Sequence, residues 1–175
     1  MDDDLWIDGS HLDAKHGHKV FDRERHAIKE LLHLLEQDGD QGKKSDKDEV
    51  SAAALASAES AVERLLAADR LLAQTAIGSV GPAVDAHRQD KVDKEIAKAL
   101  EALDKGDEEA GFGKADKAIN HYKNAWKHAT HAAKEAAKEP KTGGDHGSDD
   151  NSSDDNSFDD DSSDDDSSDD SKDDG

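Results

Sequence analysis

Fifteen of the 31 residues from position 145 onward are Asp, and only Lys172 among them is basic. This stretch carries a net charge of −14, out of −21 for the whole 175-residue chain. A five-residue unit recurs through 148–172 as SDDNS, SDDNS, FDDDS, SDDDS and SDDSK. Such a segment has almost nothing apolar to bury, and its charges repel one another. Residues 145–175 are therefore predicted to form a disordered, extended acidic tail. Folding is thereby confined to the first 144 residues, where 29 acidic and 22 basic side chains leave a net of −7.

Within those residues the apolar positions recur at helical spacing, and no segment alternates with period two. Residues 1–19 read as an extended lead-in with Trp6, Ile7 and Leu12 as anchors across the bundle. A first helix is predicted over 20–37, with Phe21, Ile28, Leu31, Leu32 and Leu35 on one face and Asp22, His26, Glu30 and His33 on the other. A second covers 47–77, with Leu55, Ala58, Val62, Leu65, Leu72 and Ala76 in its stripe; Gly78, Gly81 and Pro82 end it. A third covers 89–105, with Val92, Ile96, Leu100 and Leu103 inward and Gly106 as its stop. A fourth covers 108–139, with Ala118, Ile119, Tyr122, Ala125, Trp126, Ala129 and Ala133 inward, ended by Pro140. The expected fold is all-α: an antiparallel bundle of about four helices over 20–144.

Composition narrows the function classes. The absence of Cys excludes a disulfide framework and thiolate metal sites. No apolar stretch is long enough to span a membrane, and Met1-Asp2-Asp3-Asp4 is opposite in charge to the basic start of a signal peptide. Strong negative charge opposes binding to nucleic acid and favours cations, basic proteins or mineral surfaces as partners. No nucleophile elbow, phosphate-binding Gly loop, His-Glu-x-x-His or deaminase pattern occurs, so no catalytic residue is assigned and a non-enzymatic role without a required cofactor is expected.

The segment GKADKAINHYKNAWKHA at 113–129 resembles the second helix of a tetratricopeptide repeat through Gly113, Ala118, Tyr122 and Ala125. It has no second copy, and a solenoid needs several. DGSHLDAKHGHKVF, LLAADRLLAQTAI and AINHYKNAWKHA together resemble a helical module of exported or surface proteins of bacteria and archaea that has no assigned activity. That resemblance implies an extracytoplasmic or cell-surface location, with the cytoplasm as the alternative, and brings no catalytic residues with it.

Several groups carry candidate chemistry. In the tail, Asp154, Asp155, Asp159, Asp160, Asp161, Asp164, Asp165 and Asp166 supply dense hard oxygen ligands of the kind Ca²⁺ takes. A flexible chain cannot preorganise a cage, so such sites are expected to be weak, numerous and salt-sensitive. The competing role is a solubilising spacer. Asp38, Asp40 and Glu49 stand at positions one, three and twelve of a calcium-binding loop. Gly42, Lys43 and Ser45 break that pattern, which leaves a helix–helix linker. Glu30-Leu-Leu-His33 has the Glu-x-x-His spacing of di-iron bundles, but it faces outward and has no second pair. His26, Glu30 and His33 remain a candidate surface site for Zn²⁺ or Cu²⁺.

Asp69 falls inside the apolar stripe of the second helix, between Leu65 and Leu72. A carboxyl group there needs a partner, for which Tyr122, Trp126 or a Lys is the expected source. The leading expectation is an exported or surface-associated binding module whose tail gathers Ca²⁺ weakly. A subunit of a self-assembling structure and a His-based metal-handling protein are the alternatives.

Overall fold

Apolar residues at helical spacing build four helices in a computed structural model that describes residues 5–39 and 52–139. They are α1 (His18–Gly39), α2 (Ala52–Gly78), α3 (Ala86–Gly111) and α4 (Ala115–Ala136). The expected all-α bundle is what forms, and no strand occurs among the described residues. The lead-in folds back on itself through a single antiparallel bridge between Trp6 and Leu12, which buries Leu5 and Leu12.

α4 is the centre of the bundle. It contacts each of the other three helices and buries nine residues, against three for α2 and four for α3. Six of the nine are Ala, whose small side chains let the neighbouring helices approach closely. The large groups Ile119, Tyr122 and Trp126 fill the space this leaves. Phe21 of α1 stacks at a tilt on Trp126, with ring centroids 5.9 Å apart. Phe21 and Ile28 are fully buried. Each such burial is worth roughly 1.5–3 kcal/mol.

The α3–α4 hairpin is antiparallel: Val92 packs with Ala132 and Ala136, while Asp107 lies by Tyr122. Asp85 caps α3 by accepting the Arg88 backbone N–H at 2.9 Å. At the other end Gly113 takes φ +75°, the left-handed conformation that Gly adopts without a Cβ penalty. Its N–H bonds the Ala110 carbonyl, and the Lys114 N–H reaches back to Glu109. This paired 5→2 and 6→1 closure is a Schellman motif, and it ends α3.

Two boundaries differ from the sequence expectation by more than five residues. α3 does not stop at Gly106 but continues to Gly111, and α4 starts at Ala115 rather than near 108. Gly106 is buried in mid-helix because the Tyr122 ring lies against it, and a Cβ there would overlap the ring. The glycine serves close helix approach instead of termination. Leu100, expected inward, is 46% exposed, and Ala99 takes the buried position beside it. On α1, Leu31, Leu32 and Leu35 are only half-buried. The predicted start of α2 at 47 and most of the calcium-loop pattern lie outside the described residues.

Candidate functional site

Two features of the bundle concentrate chemistry. The first is a half-open cleft of about 150 Å³ between the lead-in and the α2 and α4 faces. Leu12, Leu72, Ala76, Trp126 and Ala129 form its walls, and Ile7 stands at its edge with 69% of its surface exposed. Gly17 permits this arrangement, since a Cβ there would come within 2.8 Å of the Trp126 ring and 2.6 Å of Leu12.

The polar groups at the rim are already engaged. Ser10 Oγ donates to Asp8 Oδ1 at 2.9 Å, and Thr130 Oγ1 donates to the Trp126 carbonyl at 2.9 Å. Asp8 also accepts the Ser10 and His11 backbone N–H groups. The Ser10 N–H, followed by the His11 and Ser10 side chains, holds the Asp8 carboxyl well below the usual carboxylate range. Such a cleft offers apolar walls to an apolar group.

The second feature is a part-buried polar cluster that joins three helices. Arg70 of α2 grips Asp107 of α3 with two hydrogen bonds of 2.7 Å, from Nε and Nη2. Tyr122 of α4 donates its hydroxyl to the same carboxylate at 2.9 Å. The Arg70 bonds are the main reason the Asp107 carboxyl lies below its ordinary range, with burial opposing them. Burial first, and then the bond to Asp107, pushes the Tyr122 phenol up.

One helical step from Arg70, Asp69 is completely buried, and neither of its oxygens has a donor. Glu24 Oε2 of α1 is also buried without a donor, and the Glu24 carboxyl lies within hydrogen-bonding reach of Asp69. Burial above all, and then Glu24, pushes the Asp69 carboxyl well above the usual carboxylate range. The expected partners of Asp69 are thus corrected. Tyr122 spends its hydroxyl on Asp107, and the group facing Asp69 is a second carboxyl. Glu24 sits three residues after Phe21 and four before Ile28, so helical spacing alone places it on the buried face of α1.

The sequence-derived site residues fall elsewhere. His26, Glu30 and His33 are all exposed on α1. Among the described residues no group of three or more His, Cys, Asp or Glu is placed to hold a metal ion. The other histidines are spread over the body: His128 bonds Glu95 at 2.8 Å, while His11 and His16 bond Asp8 and Asp13. The tail carboxylates Asp154, Asp155, Asp159, Asp160, Asp161, Asp164, Asp165 and Asp166 lie outside the described residues. No helix among the described residues is long and apolar enough to cross a membrane.

Comparison of the chain with protein-family models, with curated proteins and with solved structures gives no match.

Proposed function

We propose that the chain is a non-enzymatic, exported or surface-associated binding module, in which the acidic segment gathers divalent cations such as Ca²⁺ weakly and at many points. The observation that carries this reading is the partition of charge. Residues 145–175 hold 15 Asp against one Lys, whereas the body holds 29 acidic against 22 basic side chains. Several carboxylates among the described residues of the body are engaged internally. Asp22 pairs with Lys123, Asp107 with Arg70, and Glu95 with Lys98 and His128, while Asp85 caps α3. Capacity for hard cations therefore falls on the segment whose carboxylates outnumber every internal partner.

Calorimetric Ca²⁺ titration at physiological salt, comparing the full chain with one ending at Gly144, tests the proposal. Uptake of several ions by the full chain alone supports it. Absence of uptake by both chains, or equal uptake by both, sinks it.

A second reading, self-assembly with the acidic segment as a spacer, is favoured by one observation. Ile7 at the edge of the apolar cleft is 69% exposed, and its chain neighbour Trp6 is 37% exposed. Sedimentation velocity over a hundredfold concentration range distinguishes it. An assembling subunit gains mass with concentration and loses that gain on Ile7→Ser, whereas a lone module stays at one mass throughout.

A further inference from the structure

The buried carboxyl pair between α1 and α2 has no part in the proposed cation binding, and its geometry is unusual. Asp69 has no exposed surface, and three carboxylate oxygens of the pair, both from Asp69 and Oε2 from Glu24, are buried without a donor. Two ionised carboxylates in that buried position would repel each other, and burial disfavours the charged form of both. One proton changes the balance. A protonated carboxyl donates a short, charge-assisted hydrogen bond to its neighbour and supplies the donor both groups lack.

We infer that Glu24 and Asp69 share a single proton, and that closure of α1 onto the bundle depends on it. The surrounding charges leave this as the way to neutralise the pair. On α1, Arg25 Nε is buried but makes no hydrogen bond to either carboxyl. On α2, Arg70 is committed to Asp107 of α3 by its two hydrogen bonds. On α4, the Tyr122 hydroxyl faces the same Asp107. A metal ion would find only two carboxylates, since no third His, Cys, Asp or Glu joins them among the described residues.

The sign of the linkage follows. Asp69 has its folded value raised, in the direction burial and Glu24 both dictate. The folded state thus keeps a proton that the unfolded chain has released above the ordinary value of 3.8. Stability from this group is fully present below 3.8 and is lost progressively as pH rises through the folded value. Raising the pH therefore drives α1 away from α2 and α4, while Asp107 keeps Arg70 and Tyr122 together.

The test is urea unfolding of the full chain between pH 7.5 and 9, followed by circular dichroism, for the wild type, Asp69→Asn and Glu24→Gln. Either amide supplies an N–H donor to the remaining carboxylate without a titrating proton. One retained proton makes the unfolding equilibrium constant rise by up to about tenfold per pH unit. Both variants are expected to lose that contribution, whatever their absolute stability. The side-chain carboxyl ¹³C resonance of Asp69 in the wild type gives an independent readout that needs no variant to fold. A protonated shift persisting at pH 7.5 supports the inference. A shift that titrates near pH 4, variants with the wild-type pH slope, or a wild-type midpoint at pH 8 that rises on addition of Mg²⁺ would each overturn it.

Discussion

The Tyr122 hydroxyl meets Asp107 at 2.9 Å across the α3–α4 hairpin, on a carboxylate that Arg70 already holds from α2. Three helices thus converge on one acidic group. Tyr122→Phe removes one donor and leaves the Arg70 fork intact, so it is expected to cost about 1 kcal/mol in urea unfolding. Asp107→Asn weakens both contacts and should also change the acid limb. The wild-type carboxyl has a depressed value, so the stability it contributes is present above 3.8 and is lost as pH falls through the folded value. Asn at 107 should make the midpoint less steep between pH 4 and 2. An identical acid limb would mean that Asp107 does not sense Arg70.

Gly106 and Gly111 lie five residues apart on α3 and should answer to Ala in opposite directions. Ala at 106 places a methyl group inside the Tyr122 ring, and overpacking of this kind costs roughly 1–3 kcal/mol, more than the gain in helix propensity of about 1 kcal/mol. Ala at 111 meets nothing within 4 Å, so it should be neutral or stabilising. Thermal unfolding of the two variants checks the contrast, and a stabilised Gly106→Ala would show that α3 and α4 are less closely apposed than described.

Trp6 and Trp126 are the two Trp in the chain, and their surroundings differ sharply. Trp126 is 4% exposed beneath the lead-in, against 37% for Trp6. Emission from Trp6→Phe, which reports Trp126 alone, should be blue-shifted and poorly quenched by acrylamide. Trp126→Phe should leave a red-shifted, readily quenched signal. Trp126→Ala should destabilise the fold by about 3–5 kcal/mol. Equal quenching in the two Phe variants would place the lead-in off the bundle.

Burial holds the imidazoles of His121 and His131 on α4 below their ordinary value. A depressed His takes its proton later than the same His in the unfolded chain. The stability it contributes is present above 6.5 and is lost as pH falls through the folded value. Replacing either residue by Gln should reduce the drop in urea midpoint between pH 7 and 5. If both variants retain the full drop, the acid sensitivity in that window has another source.

Much of this architecture is legible in the order of residues. Helical spacing identifies the buried face of α4 almost residue by residue and places His26, Glu30 and His33 outward on α1. It also marks Asp69 as a polar residue in an apolar stripe. Its partner was equally accessible, since Glu24 shares the face of Phe21 and Ile28, but a single Glu in a charged run reads as solvated unless the opposing helix is known. Gly106 is ambiguous in the sequence for a physical reason: glycine ends helices and also admits a close neighbour, and only the position of Tyr122 separates the two uses. The convergence of Arg70, Asp107 and Tyr122 joins residues up to 52 positions apart and leaves no local trace. The cleft beneath Trp126 was likewise invisible, because it depends on how the lead-in folds over α2 and α4.

The central position of α4 also bears on how the chain acquires its structure during synthesis. The ribosome makes α1, α2 and α3 first, yet the face each must cover belongs to the helix made after them. Until Trp126 and its neighbours emerge, the first 114 residues hold three amphipathic helices with no common partner. Folding of the body is therefore expected to be late and all at once instead of stepwise from the N-terminus, with the nascent chain exposing Phe21, Ile28 and the α2 stripe to chaperones until then.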